Sequence, residues 1–318
     1  MKITDLMGCT VSVILLLLAS AWIPYIGPFF SLLIPLPFLF YASKLGFNKG
    51  AQACAFSLII IGLIAGLAGH SYIILLCLEF GILGFVISEI FRRKLSFGVT
   101  IFWGTFCMLV VGAVFLFMVG LTKGTGPMEL VLGYFKANLE NTARLYKEME
   151  LDPESLAQVE QLLRVLSELI TKAFPALIII GTGLVVWINV VISKPVFRLG
   201  QISYPEFGRL DHWHAPEVMV WGVIAAGFSL FLPASIIKLA AINILIVLTL
   251  IYVFHGLSIV LFILNRFRVP GWARIIIYFI MLVQQVFLFV LALAGLFDQW
   301  VDFRKIGRRK VETSEHDE

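Results

Sequence analysis

Charged side chains are what this sequence has least of. Only 14% of its 318 residues are Asp, Glu, Lys or Arg, against 60% that are hydrophobic, and the mean hydropathy is +0.98. A soluble domain carries about 25% charged residues, so the composition excludes a soluble globular enzyme or carrier. Cysteine is sparse as well. Cys9, Cys54, Cys77 and Cys107 each sit inside an apolar stretch with no C-x-x-C spacing, which speaks against a disulfide frame or zinc site and for small buried hydrophobes. P-loop, G-x-S-x-G and H-E-x-x-H motifs are all missing, and with them the sequence signatures of ATP binding, serine hydrolysis and zinc proteolysis. The formal charge of +4 does not point to nucleic acid, because the Lys and Arg residues gather in short loops instead of along one face. The expectation is a chain that is not an enzyme and holds no cofactor or metal.

What the sequence does have is long apolar runs. A bilayer core of ~30 Å requires about 20 mostly apolar residues per helix. Nine stretches qualify, at 6–23, 26–43, 51–69, 71–91, 97–121, 173–194, 217–235, 238–264 and 272–297. In lipid only helices or closed barrels satisfy their backbone, and a barrel would alternate in polarity where these runs do not. The fold class is therefore all-α, a polytopic membrane protein with lipid around it. The first run, with Lys2 before it and Ala19-Ser20-Ala21 after it, imitates a secretory signal; read with the apolar segments that follow at once, it is an uncleaved first helix.

Short-loop cations set the expected orientation. Lys44 and Lys49, then Arg92, Arg93 and Lys94, then Lys194, Arg198 and Arg209 fall on one side, which the positive-inside rule makes cytoplasmic in a bacterial cytoplasmic membrane. Nine crossings would leave the basic tail (Arg304, Lys305, Arg308, Arg309, Lys310) outside; eight, with 217–235 not crossing, bring it inside. The expectation is eight or nine spans. Organisation along the chain follows: membrane helices over 1–121, an extracytoplasmic helical hairpin over 122–172, membrane helices over 173–303 and a polar tail over 304–318. In the hairpin, Lys136, Glu140, Arg144 and Glu148 have i,i+4 spacing on an exposed helix. Asp152 and Pro153 then read as the N-cap and first turn of a second helix, whose stripe of Leu156, Val159, Leu163, Leu166 and Ile170 is internal packing or a partner surface.

Within the apolar runs, proline and polar residues mark the places of interest. Pro24, Pro28, Pro35 and Pro37 crowd the second stretch and must kink or unwind it, as happens where a helix lines a transport site or simply bends. Gly62 and Gly66 have the G-x-x-x-G spacing of closely packed membrane helices. The intramembrane candidates for binding a ligand are Glu79, Asn189, Asn243, His255 and Gln284, because polar groups in lipid face a bundle interior or a cavity. The alternative for each is a structural hydrogen bond. Asn243 and His255, twelve residues apart, sit about 120° apart around a helix and need not share a site. In RLDHWHAPE (209–217), Asp211, His212 and His214 lack further ligands for a metal, and Trp213 reads as an interfacial aromatic. At the end of the last stretch, Asp298, Trp300, Asp302 and Arg304 read as an interfacial anchor, with Arg304 poorly placed to pair along one helix.

The carboxy-terminal combination INILIVLTLIYVFHGLSIVLFIL with LALAGLFDQWVDFRK resembles the YybS-like family of bacterial membrane proteins, a domain of unknown function. Gly256, Gly295, Leu296, Asp298, Asp302, Phe303 and Arg304 carry the match. The first six stretches are also similar in layout to the substrate-binding components of energy-coupling-factor transporters, through the proline-rich second helix, the KLGFNKG turn and the basic short loops. That resemblance implies capture of a small molecule from outside with the help of coupling subunits and ATPases. The hairpin and the carboxy-terminal helices depart from it. The sequence thus supports two functions, a small-molecule uptake component or a structural or regulatory membrane protein that recruits partners through its hairpin or basic tail.

Overall fold

A computed structural model describes residues 2–70, 72–148 and 153–304. Asp152, expected as an N-cap, and the tail from Lys305 onward lie outside the described residues. Every regular element among those described is helical. Among the described residues seven helices are long and apolar enough to cross a membrane, or eight if a bent pair of helices is one span. The expected eight is reached only if the bent pair is one span, and nine is not reached among the described residues. Residues 217–235 yield α9 (Met219–Ser229), 11 residues long and too short for a ~30 Å core.

The chain divides into two compact units. One comprises 1–167 and 181–207, the other 168–180 and 208–318.

The first unit begins with α1 (Ile3–Trp22), after which the proline-rich stretch is interrupted as expected: α2 (Gly27–Ser31) stops, three residues turn, and α3 (Pro35–Leu45) restarts. Proline is tolerated in a first helical turn, where its missing N–H has no intrahelical partner, so Pro28 and Pro35 mark the starts of the two pieces. Then follow α4 (Phe47–Leu67), α5 (Tyr72–Arg92) and α6 (Phe97–Lys123). Their core is Ile34, Phe38 and Leu39 of the interrupted span against Leu83 and Ile87 of α5, all buried. Gly84 makes that approach possible: a Cβ there would lie 2.5 Å from the Pro35 carbonyl oxygen. Gly62 and Gly66 do not behave as expected. Nothing lies within 4 Å of where their Cβ atoms would be, because α4 packs through Ala53, Cys54, Ile61 and Ala65 instead. The cysteines are free thiols, three of them buried.

The polar insertion is a helical pair. α7 (Pro127–Glu148) has no buried residue, and Lys147 meets Glu160 of α8 (Pro153–Leu199) at 2.9 Å. α8 runs on as the next apolar helix, so hairpin and span are one 47-residue element.

The second unit is built on α10 (Ser235–Arg266) and α12 (Gln285–Val301). A Cβ at Gly256 would lie 2.1 Å from the Leu291 carbonyl oxygen, and one at Gly295 would lie 2.2 Å from that of Tyr252. The two backbones touch through these glycines, as small residues permit in membrane helices. α11 (Gly271–Val283) precedes α12 at a 99° bend.

Candidate functional site

The polar residues of the apolar stretches fall into three groups: those that repair backbone, those that form one buried ionic cluster, and one acid without a partner.

Asn189 and Asn243 belong to the first group. Asn189 is fully buried, and its Nδ2 donates to the Leu32 carbonyl, in the break between α2 and α3, and to that of Val185, both at 2.8 Å. A carbonyl freed by the proline interruption would otherwise be costly in lipid. Asn243 does the equivalent for α8: its Nδ2 donates to the Lys172 carbonyl and its Oδ1 accepts the Ala176 N–H, both at 2.8 Å. Those two groups are an i,i−4 pair spanning Pro175, so one carboxamide satisfies both ends of the helix turn that the proline ring disturbs. Asn243 and His255 make separate sets of contacts. Gln284 is exposed and occupies the bend itself, with extended backbone at φ −91° and ψ 104°.

The ionic cluster draws on four stretches of the second unit. Asp298 Oδ2 accepts Arg304 Nη2 at 2.8 Å and lies 3.0 Å from His255 Nε2, while Oδ1 accepts the Phe303 N–H at 2.8 Å. Arg304 Nη1 reaches the carbonyls of Asp211 and Trp213 and the hydroxyl of Ser258, at 2.9–3.0 Å. Ser258 in turn donates to a carbonyl of the same loop, within reach of both Leu210 and Trp213. The Trp213 ring stands edge-on to His255 with centroids 6.2 Å apart.

This corrects the reading of the helix exit. Asp298 and Arg304 are 7% and 8% exposed, not at the surface. The helix ends at Val301, and Asp302 adopts a left-handed conformation at φ 45°, so the chain reverses and Arg304 returns to the carboxylate six residues before it. A straight-helix projection could not find this pair. Trp300 and Phe297 are exposed; Trp213 instead packs on His255.

The tautomer of His255 follows from its partners. Its Nδ1 has no hydrogen-bond partner among the described residues, and a buried N–H without an acceptor is costly. The neutral ring with the proton on Nε2, donated to Asp298, avoids that cost. The 3.0 Å approach of Arg304 Nη2 to the same nitrogen is then a contact and not a second hydrogen bond. Asp298 and Arg304 balance in charge, and the cluster fastens the 210–213 loop, α10 and the end of α12 to one another. Its Asp298, Arg304, His255 and Ser258 side chains are buried. Outside the membrane helices, Arg209 beside Asp211 holds that buried carboxyl below its ordinary range, and Asn265 donates to the same oxygen at 3.0 Å.

Glu79 remains. It lies in α5, seven residues from the helix start, half-buried, and has no hydrogen-bond or ion-pair partner among the described residues. Gly112 of α6 stands opposite: a Cβ there would come within 3.0 Å of Glu79 Oε1. The glycine leaves room for the carboxylate head. Among the described residues no three His, Cys, Asp or Glu side chains are grouped to hold a metal ion.

With this architecture in view, the relationships of the chain become interpretable. Residues 10–299 match the family model described as predicted membrane protein DUF2232. The chain belongs to this family. It is also 20% identical over 294 residues to the uncharacterized protein YybS of Bacillus subtilis (strain 168), covering 90% of this chain and 92% of that one. No solved structure matches. The family match spans both glycines of the α10–α12 contact, together with His255 and Asp298, so the ionic cluster lies almost wholly inside the region that defines this DUF2232 protein.

Proposed function

We propose that this DUF2232 protein is a small-molecule-binding component of a transport system in the bacterial cytoplasmic membrane, working with coupling subunits that supply the energy. The observation that carries the proposal is Glu79, a half-buried acid in an apolar helix with no partner among the described residues and a glycine opposite it. An acid in a membrane helix is costly, by ~2.5–3.5 kcal/mol on insertion scales, and is retained where it binds a proton, an ion or a ligand. The proline-interrupted span in the same unit supports the same reading, as does the resemblance of the sequence to energy-coupling-factor binding components. The positive-inside rule puts Glu79 in the outer half of its helix, within reach of a solute arriving from outside. The chemistry of the site favours a cationic or hydrogen-bond-donating solute.

The test is ligand-induced thermal stabilisation of the purified protein across a metabolite panel, with Glu79→Gln as the comparison, together with co-purification of coupling subunits. A solute that stabilises the parent and not the variant supports the proposal; no response and no co-purifying subunit sinks it.

A second reading, a scaffold that recruits partners, is favoured by the outer hairpin, whose α7 has no buried residue. Deleting 125–170 separates the two. Loss of native complexes with ligand binding intact supports the scaffold, and unchanged complexes remove it.

A further inference from the structure

A cavity of about 460 Å³ opens at one end of the first unit, lined by Lys2, Thr4, Asp5, Lys44, Leu45 and Lys49. Lys2 and Asp5 open α1, Lys44 closes α3 and Lys49 opens α4, so three separate chain segments converge on it. Three ammonium groups face one carboxylate. That carboxylate is already engaged: Lys44 Nζ is 2.7 Å from Asp5 Oδ1 and also lies 5.9 Å from the Tyr41 ring centroid. Lys44 is thereby fixed in place, and with Lys2 and Lys49, both exposed, the lining carries a net positive charge. The first turn of α1 adds N–H groups with no side-chain cap, and the positive end of the helix dipole favours an anion there.

The surface beside the cavity indicates which anion. Ile3, Met7 and Val11, spaced four apart along one face of α1, are 74%, 59% and 48% exposed. This apolar strip begins at the cavity and runs into the span, where an acyl chain lies. A soluble phosphate has no use for such a strip, whereas a phospholipid fits both parts, its phosphate among the lysines and its chains along α1. Basic pockets at the cytoplasmic ends of membrane helices hold anionic headgroups in this way.

We propose that this cavity is a binding site for the phosphate headgroup of an anionic glycerophospholipid of the cytoplasmic leaflet. The site lies at the lysine-bearing end of the unit and is independent of Glu79. The experiment uses the full chain in zwitterionic detergent, with phosphatidylglycerol, phosphatidylcholine and glycerol phosphate as probes and lipid retention by native mass spectrometry as the readout.

Phosphatidylglycerol is expected to be retained in preference to phosphatidylcholine. Lys49→Gln weakens it about fivefold, and Lys2→Gln with Lys49→Gln about twenty-five-fold, from the free energy typical of one cation at a membrane surface. Because both lysines are exposed, the unfolding temperature without lipid is unchanged. Ile3→Ser with Met7→Ser weakens the lipid but not glycerol phosphate. Equal retention of the two lipids, or lysine variants that bind like the parent, overturns the proposal. Displacement of the lipid by equimolar glycerol phosphate overturns it too, since the site would then take free phosphate.

Discussion

The two units each place an acid in an apolar helix and treat it in opposite ways. In the second, Asp298 is buried and every near neighbour serves it: Arg304, His255 and the Phe303 N–H converge on its two oxygens. In the first, Glu79 is half-buried, with Gly112 opposite its carboxylate and no hydrogen-bond or ion-pair partner among the described residues. A carboxylate whose two oxygens already accept three hydrogen bonds, one of them from a buried guanidinium, serves to hold structure. One without a partner among the described residues still has its lone pairs open, which is the feature the proposed function rests on.

The largest effect that would break this contrast is at Asp298. Asp298→Ala leaves Arg304 buried and unpaired, which costs about 3–5 kcal/mol and should appear as a large fall in the thermal unfolding temperature of the full chain in detergent. The double variant Asp298→Leu with Arg304→Met should recover much of that loss, because apolar replacements of a buried pair are often neutral. If the single variant unfolds like the parent, the cluster is not what holds the unit together.

Next is the contact that brings the cluster together. Gly295→Ala puts a methyl group against the Tyr252 carbonyl and should cost about 1–3 kcal/mol by overpacking; Gly62→Ala, over open space, should be within about 0.5 kcal/mol of neutral. Equal effects would show that α10 and α12 do not touch as described.

A smaller effect concerns acid. Arg209 depresses Asp211 in the folded state, so this carboxylate contributes stability above the ordinary aspartate value of about 3.9, and the contribution is lost as pH falls through the lower folded value. The loss should be confined to pH below about 4 and amount to about 1 kcal/mol or less, since the Arg209 side chain is 66% exposed and solvent screens the pair. In Arg209→Gln the acid limb of an unfolding curve against pH should be shallower. The smallest stability change is expected at Glu79→Gln, within about 0.5 kcal/mol, together with loss of any ligand-induced stabilisation. A stability loss as large as that at Asp298 would make Glu79 structural and dissolve the contrast.

How far the site could be read from sequence differs residue by residue. The apolar stretches, the broken second helix and the polar hairpin running into a span were legible because lipid imposes length and composition on any helix within it. Asn189 and Asn243 stood out as polar residues in lipid, but their targets, the Leu32 carbonyl 157 residues away and the turn spanning Pro175, belong to other helices. Had each proline been treated as a source of stranded backbone groups, a search for a carboxamide to satisfy them could have been made in advance. Ser258 carried no signal, since an intramembrane serine is common, and Asp211 stood out only beside two histidines and not through the backbone carbonyl that Arg304 reaches.

The sequence by itself determined that this is a helical membrane protein, roughly how many times it can cross, and where its backbone must break, because hydrophobic length and proline stereochemistry are local properties. Only the tertiary structure decided which polar residues are already satisfied. Arg304 became the partner of Asp298 through a left-handed residue at Asp302, and Gly62 faces open space while Gly256 and Gly295 meet backbone; pairing across helices depends on which faces come together, and no local pattern contains that.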